Sequence, residues 1–274
     1  MSATTPTITR PAGAVGSAIP RRWWWHITDA AAVTWRNLLQ FVRIPELLVF
    51  STIQPVMFVL LFAFVFGGAI QVPGGNYVNF LMPGIFVQTA VFGATATGVG
   101  LTEDLKRGMI DRFRSLPMSR SAVLSGRTFA DMIRNFFVIL LMTAVGYLIG
   151  FRFEAGPFYA FLALTLVGLF GYAFSWVEAW IGLRAPNAEV AQAAGFIWIF
   201  PLTFVSSAFV PVESMPEWLQ PIAEHNPVTI AVDTIRGLVY GTVTLDQFLL
   251  TLAWIGAILA VFIPLSVRAY RRIQ

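Results

Sequence analysis

Six apolar runs, each about as long as a bilayer is thick, leave this chain few ways to fold: Leu47 to Gly68, Val78 to Gly100, Phe129 to Gly150, Phe158 to Leu183, Val190 to Val210 and Phe248 to Val267. Crossing the hydrocarbon core as a helix takes roughly 20 apolar residues, and in lipid each backbone N–H and C=O must find its partner inside the helix. The expected fold class is an all-α integral membrane protein with six transmembrane helices. Composition agrees, since 57% of residues are hydrophobic and 12% charged, where soluble domains carry roughly 25% charged residues. Asp131 and Arg134 fall in the first turns of the third run and blur where that span begins.

The basic residues set the orientation. With the N-terminus inside, every Lys and Arg except Arg152 and Arg236 falls on the cytoplasmic side, as the positive-inside rule requires. Both termini are therefore expected in the cytoplasm, and the protein in a bacterial cell membrane. The basic excess follows membrane sidedness and gives no reason to expect nucleic acid. Residues 1–22 are rich in Pro, Thr, Ser, Gly and Ala, lack an apolar run suited to a signal peptide, and read as a disordered cytoplasmic tail.

Trp24, Ile27, Ala31, Trp35, Leu38 and Val42 share an arc of about 80° on a helix, with Asp29, Arg36, Gln40 and Arg43 opposite. Following the tryptophans at 23–25, this predicts an amphipathic N-terminal helix lying in the interface plane, where indole rings prefer to sit. A simple anchor would look the same.

Between the second and third runs, the segment Leu101 to Arg127 holds Lys106, Arg107, Arg112, Arg114, Arg120 and Arg127. Leu105, Met109, Phe113 and Leu116 recur there at helical spacing until Pro117. The pattern predicts a short amphipathic helix on the cytoplasmic face, able to dock a soluble partner. Its charges also fit a solvated face stabilised by Arg107–Asp111 and Asp111–Arg114 pairs, each contributing only about 0.2–0.5 kcal/mol. On the outer side, residues 211–241 are broken by Pro211, Pro216, Pro221 and Pro227, and Asp233 and Arg236 interrupt an otherwise apolar helix. Two structures fit: short re-entrant helices that bury these charges against protein, or an external cap.

Catalytic signatures are missing from the sequence. There is no GxxxxGK[ST] phosphate loop, GxSxG elbow, HExxH or cysteine, and the two histidines, His26 and His225, lie far apart. Neither a cofactor nor a metal is expected. Intramembrane polar residues are sparse: Gln54 and Pro55 in the first run, and Glu178, which either snorkels or pairs with Arg184. Small residues gather at Gly93, Ala94, Ala96, Gly98 and Gly100 and again at Ala191, Ala193, Ala194 and Gly195, where they permit close helix approach.

Taken together, the amphipathic N-terminal helix, the six runs, the segment EDLKRGMIDRFRSLPMSRSAVLSGR after the second, and the outer sequence FVPVESMPEWLQPIAEHNP followed by a helix with Asp233, Arg236 and Gly241 resemble the type 2 ABC transporter permeases, in particular their daunorubicin-resistance branch from actinobacteria. The likeness covers Trp24 to the C-terminus, so residues 23–274 would form one ABC-2 type transmembrane domain. It implies a permease subunit of an exporter of hydrophobic or amphipathic compounds (drug, lipid or glycolipid), contributing to antibiotic resistance. Such a subunit works with a second permease copy or paralogue and with cytoplasmic ABC ATPase subunits that bind the ATP. The family's coupling helix corresponds to Glu103 through Pro117, and its outer re-entrant helices to about Met215 through Gly241. On that likeness, ATPase contacts fall to Glu103, Asp104, Leu105, Arg107, Met109, Asp111, Phe113 and Arg114. The substrate path would follow aromatic faces of the first, second and fifth spans, at Phe58, Phe62, Phe86, Phe92, Phe196, Trp198 and Phe204. Two other classes stay open on the sequence: a gradient-driven carrier acting alone, and a membrane-embedded enzyme acting on lipid-linked substrates, for which the acidic outer segment with His225 is the candidate.

Overall fold

The computed structural model describes residues 24–43, 45–67, 77–109 and 120–272. These residues are helical, with no strand among them: α1 (Trp24–Arg43), α2 (Pro45–Leu60, prolonged by a π-helical turn, Leu61–Phe66), α3 (Tyr77–Lys106), α4 (Arg120–Leu148), α5 (Pro157–Gly182), α6 (Ala188–Phe204), α7 (Gln220–Glu224), α8 (Pro227–Tyr240) and α9 (Leu245–Arg272). Stretches of four helices are long and apolar enough to cross a membrane, Tyr77–Lys106, Ala122–Leu148, Pro157–Gly182 and Leu245–Arg272, while Thr52–Val65 and Ala188–Phe204 are shorter apolar helices. The chain is thus an all-helical, multi-pass membrane protein. The tail expected at 1–22 lies outside the described residues.

Helix α3 forms the centre. It packs against α4, α5 and α6, and its side chains from Phe80 to Phe92 are almost all buried. Small residues permit this. A Cβ on Gly182 would overlap the backbone of Gly98, so two glycines bring α3 and α5 into backbone contact. There the Thr102 hydroxyl donates to the Gly182 carbonyl at 2.8 Å, a polar cross-link suited to a lipid environment.

Helix α1 lies along α4. Val33, Thr34 and Asn37 are its buried residues, whereas Ile27 and Trp35 of the predicted apolar arc face outward, available to lipid. Gly126 makes the contact possible, since a Cβ there would stand 2.6 Å from the Ala30 carbonyl, and Thr34 donates to the Gly126 carbonyl at 3.0 Å.

The segment 211–241 folds onto the bundle. Asn226 caps α8 by accepting from the Val228 N–H at 2.8 Å, and its amide donates to Leu202 and Val205 carbonyls at the end of α6. Gly241 ends the helix at φ 77°, the left-handed conformation glycine adopts most readily. Val228, Ala231, Val232, Ile235, Leu238 and Val239 are fully buried against α3, α5 and α9.

Candidate functional site

At its C-terminal end, α3 does not give way to a new helix at Glu103. Its 30 residues rise about 45 Å at roughly 1.5 Å each, some 15 Å more than the hydrocarbon thickness. Glu103, Asp104 and Leu105 therefore form the last turn of the span's own helix, which Gly108 (φ 65°) follows. Leu105 packs inward against the cluster of Leu101, Trp176 and Tyr270. Glu103 and Arg107 are exposed and pair with each other at 3.2 Å. Asp111, Phe113 and Arg114, and with them the Arg107–Asp111 and Asp111–Arg114 pairs, lie outside the described residues; Met109 is the last predicted contact within them.

Asp104 is already engaged inside the chain. Its Oδ2 receives Arg36 of α1 at 3.2 Å and Arg127 of α4 at 3.5 Å. Arg127 continues to Asp131 at 3.3 Å, and Asp131 to Arg134 at 3.6 Å. The Thr97 hydroxyl donates to Asp131 at 2.7 Å, and Arg134 to the Gly93 carbonyl at 2.8 Å. A ladder of alternating charge thus runs along α4 from the C-terminal end of α3 into the bundle. Helix α4 begins at Arg120, nine residues before the apolar run, so Asp131 and Arg134 sit well inside it. Gly93 and Gly100 make room on α3, because a Cβ at either would collide with Asn135 or Arg127.

At the Arg134 end of the ladder, α2, α3, α4 and α6 line a cavity of about 200 Å³, open to the surface, whose walls include Gln54, Gln88, Thr89, Arg134, Asn135 and Gln192. Aromatic rings lead away from it. Phe92 meets Phe196 at 5.8 Å and Phe200 at 5.1 Å between ring centres. Phe200 stacks on Phe204 at 5.6 Å, Phe204 on Phe209 at 5.2 Å, and Phe209 on Phe62 at 4.6 Å. Phe58 closes the row at 6.0 Å from Phe62. Of the aromatic residues predicted for a path, Phe58, Phe62, Phe92, Phe196 and Phe204 are joined here. Phe86 is instead fully buried against Phe151, and Trp198 stacks on Phe174 at 5.5 Å inside the bundle. Sequence reasoning missed Phe200 and Phe209. The four-residue spacing of Phe196, Phe200 and Phe204 signals the first, whereas Phe209 lies beyond the helix and carries no periodic signal.

Glu178 departs from expectation. It does not pair with Arg184, whose guanidinium lies 4.2 Å from the Trp180 ring centre. It is fully buried between Gly98 and Gly195, and the polar group that faces its carboxylate is the Trp198 indole N–H. Near the N-terminal end of α3 Arg236 is pinned, donating to Asp233 at 2.7 Å and to the Phe80 and Ser207 carbonyls at 3.1 and 2.9 Å, with its guanidinium 3.7 Å from the Phe80 ring centre. The charges that interrupt the apolar pattern of α8 thus fasten it to α3.

A multi-pass helical bundle with a charged helix extension, a polar cavity and an aromatic row has the parts of a membrane permease. Residues 28–240 match the ABC-2 type transporter family, and the chain belongs to it. It is 36% identical over 239 residues, 86% of this chain and 84% of the other, to the daunorubicin resistance ABC transporter permease protein DrrB1 of Streptomyces coeruleorubidus. It is 27% identical, over 86% of each chain, to the probable doxorubicin resistance ABC transporter permease protein DrrC of Mycobacterium tuberculosis. It is 29% identical, over 74% of this chain and 71% of the other, to the putative transport permease ycf38 of Cyanophora paradoxa. The chain is an ABC-type permease.

Proposed function

We propose that this permease is the membrane subunit of an ATP-driven exporter of hydrophobic or amphipathic compounds, energised by separate cytoplasmic ATPase subunits and completed by a second permease copy or paralogue in a bacterial plasma membrane. It would cross the membrane six times with both termini cytoplasmic, the shorter apolar helices α2 and α6 serving as spans and residues 215–241 as re-entrant outer helices. The ATPase would dock on residues 103–117. Within that segment Glu103, Arg107, Met109, Asp111, Phe113 and Arg114 would make direct contact, while Asp104 and Leu105 would carry the displacement into the bundle.

The ion-pair ladder from Asp104 to Arg134 carries this reading. A shift at the end of α3 reaches α1 and α4 through charge-assisted contacts, and α4 walls the cavity at the foot of the aromatic row. Substrate would leave along Phe92, Phe196, Phe200, Phe204, Phe209 and Phe62. Names among the relatives point to resistance against daunorubicin and doxorubicin, compounds of the amphipathic class proposed here. The test is reconstitution in proteoliposomes with and without the partner ATPase. Export that needs both the ATPase and ATP supports the reading. Transport by the permease alone on an ion gradient refutes it and favours a carrier.

A further inference from the structure

A groove of about 500 Å³ runs between α1, α4 and α5, lined by nine residues, none of them charged. Ile27, Trp35 and Leu38 come from α1 and Phe129 from α4. Two of its three walls belong to stretches long and apolar enough to cross a membrane, since Ser125 and Phe129 fall within Ala122–Leu148 and Tyr172 within Pro157–Gly182. Ile27, Trp35 and Phe129 are exposed, so the described residues leave the groove open.

The groove is continuous with an apolar stripe on α4. Phe129, Ile133, Phe137 and Leu140 recur at helical spacing and are all exposed. At 1.5 Å per residue the stripe runs about 16 Å, close to the depth of one hydrocarbon leaflet. A methylene is about the size of a water molecule, roughly 30 Å³ in the liquid, so the groove's volume matches one acyl chain. A second protein fits less well, because a stable interface engages roughly 20–30 residues a side. Three hydroxyls line the groove. Thr34 donates to the Ala30 and Gly126 carbonyls at 2.8 and 3.0 Å, and Ser125 to the Ala122 carbonyl at 3.4 Å. Tyr172 makes no hydrogen bond among the described residues. A phenol beside hydrocarbon gains from an acceptor, which the ester carbonyl of a glycerophospholipid supplies and a bare hydrocarbon does not.

We infer that this groove holds one acyl chain of a membrane glycerophospholipid, its tail along the α4 stripe and its ester carbonyl met by Tyr172, and that this resident lipid clamps α1 to α4. Helix α1 buries little of itself, with Val33, Thr34 and Asn37 as its buried residues. A chain seated against Ile27, Trp35 and Phe129 adds apolar contact to both helices at once. Arg36 of the same helix reaches Asp104 at 3.2 Å, so the lipid also steadies the first rung of the ion-pair ladder. The lipid is a structural ligand, and its binding is independent of what the protein exports.

The full chain, delipidated in detergent, is titrated with phosphatidylcholine carrying a diazirine on its acyl chain, photolysed, and mapped by peptide mass spectrometry. At limiting lipid, label is expected on the α1 and α4 peptides that flank the groove, several-fold above label on α9 around Val261, an apolar face just as exposed. Ala31→Trp fills the groove from an exposed position and should lower groove label several-fold while leaving α9 label unchanged. Phe129→Ala, which removes a wall, should do the same. Tyr172→Phe should weaken retention roughly three- to tenfold, the loss of about one hydrogen bond. Added phosphatidylcholine should raise the melting temperature of the parent and not that of Ala31→Trp, since only a lipid that binds the folded chain stabilises it. Equal labelling of groove and α9 at every ratio would mean bulk lipid only and would overturn the inference. So would labelling by a diazirine fatty acid without labelling by phosphatidylcholine, parental groove label in a folded Ala31→Trp variant, or disulfide-linked dimers through a cysteine at Ile27, which would give the groove to a second copy.

Discussion

Arg36 and Asp104 stand 68 positions apart in the chain and 3.2 Å apart in space, joining α1 to the C-terminal end of the central helix α3. Arg127 shares the same carboxylate oxygen at 3.5 Å. Three helices thus meet on one side chain at the end of the molecule proposed to receive the ATPase. Asp104→Asn should leave the chain folded, lowering stability by about 1–2 kcal/mol because the group is partly solvated. It should reduce ATP-dependent transport more than it reduces ATPase binding. A thermal melt, a pull-down and a transport assay separate these effects, and unchanged transport would remove Asp104 from the transmission route.

Deeper in the ladder the cost is larger. Asp131 is fully buried between Arg127, Arg134 and Thr97. Asp131→Ala would leave Arg134 buried without a carboxylate and Arg127 with Asp104 alone, a loss of about 3–5 kcal/mol. The expected outcome is a sharp drop in folded yield and in melting temperature, with Asp131→Glu intermediate. A variant melting within a degree of the parent would show that the buried charges relax elsewhere.

Glu178 should behave in the opposite way, since it has no cation to strand. Glu178→Gln is expected to be neutral or stabilising. Gly195→Ala, whose Cβ would stand 2.8 Å from Glu178 Oε2, should destabilise by about 1–3 kcal/mol through overpacking. Removing the obstructing side chain with Glu178→Ala should recover part of that loss. A double-mutant cycle on melting temperature measures the coupling, and additivity would show that the two positions do not press on each other.

Phe200 is 44% exposed in the row between Phe196 and Phe204. Phe200→Ala should therefore change stability by less than about 1 kcal/mol yet lower export of aromatic compounds several-fold. Equal loss for aromatic and aliphatic substrates would assign the ring to packing alone.

The chain has no cysteine, so introduced thiols report without background. Cysteines at Ser119 and Gln220 should label from opposite sides of the membrane, as the distribution of Lys and Arg requires. Labelling of both from outside in intact cells would overturn the six-crossing arrangement.

Sequence by itself determined the membrane class, the apolar runs and their helicity, because hydrocarbon leaves the backbone few alternatives and composition states this openly. It also exposed the charged segment after Leu101 and the outer helix with Asp233 and Arg236, since charge between apolar runs is a local signal. Partners were another matter. Asp104 reads as a surface residue by position and proves to be the meeting point of α1, α3 and α4. Asp131 and Arg134 read as the blurred edge of a span and prove to be a ladder within a longer helix. Glu178 looks set to pair with Arg184 by proximity in the chain, but the close crossing of α3, α5 and α6 at Gly98 and Gly195 encloses it. The cavity is the clearest case: Gln54, Gln88, Asn135 and Gln192 come from four helices, and only the packing angle of those helices, fixed by glycines whose neighbours lie far away in sequence, brings them to one place.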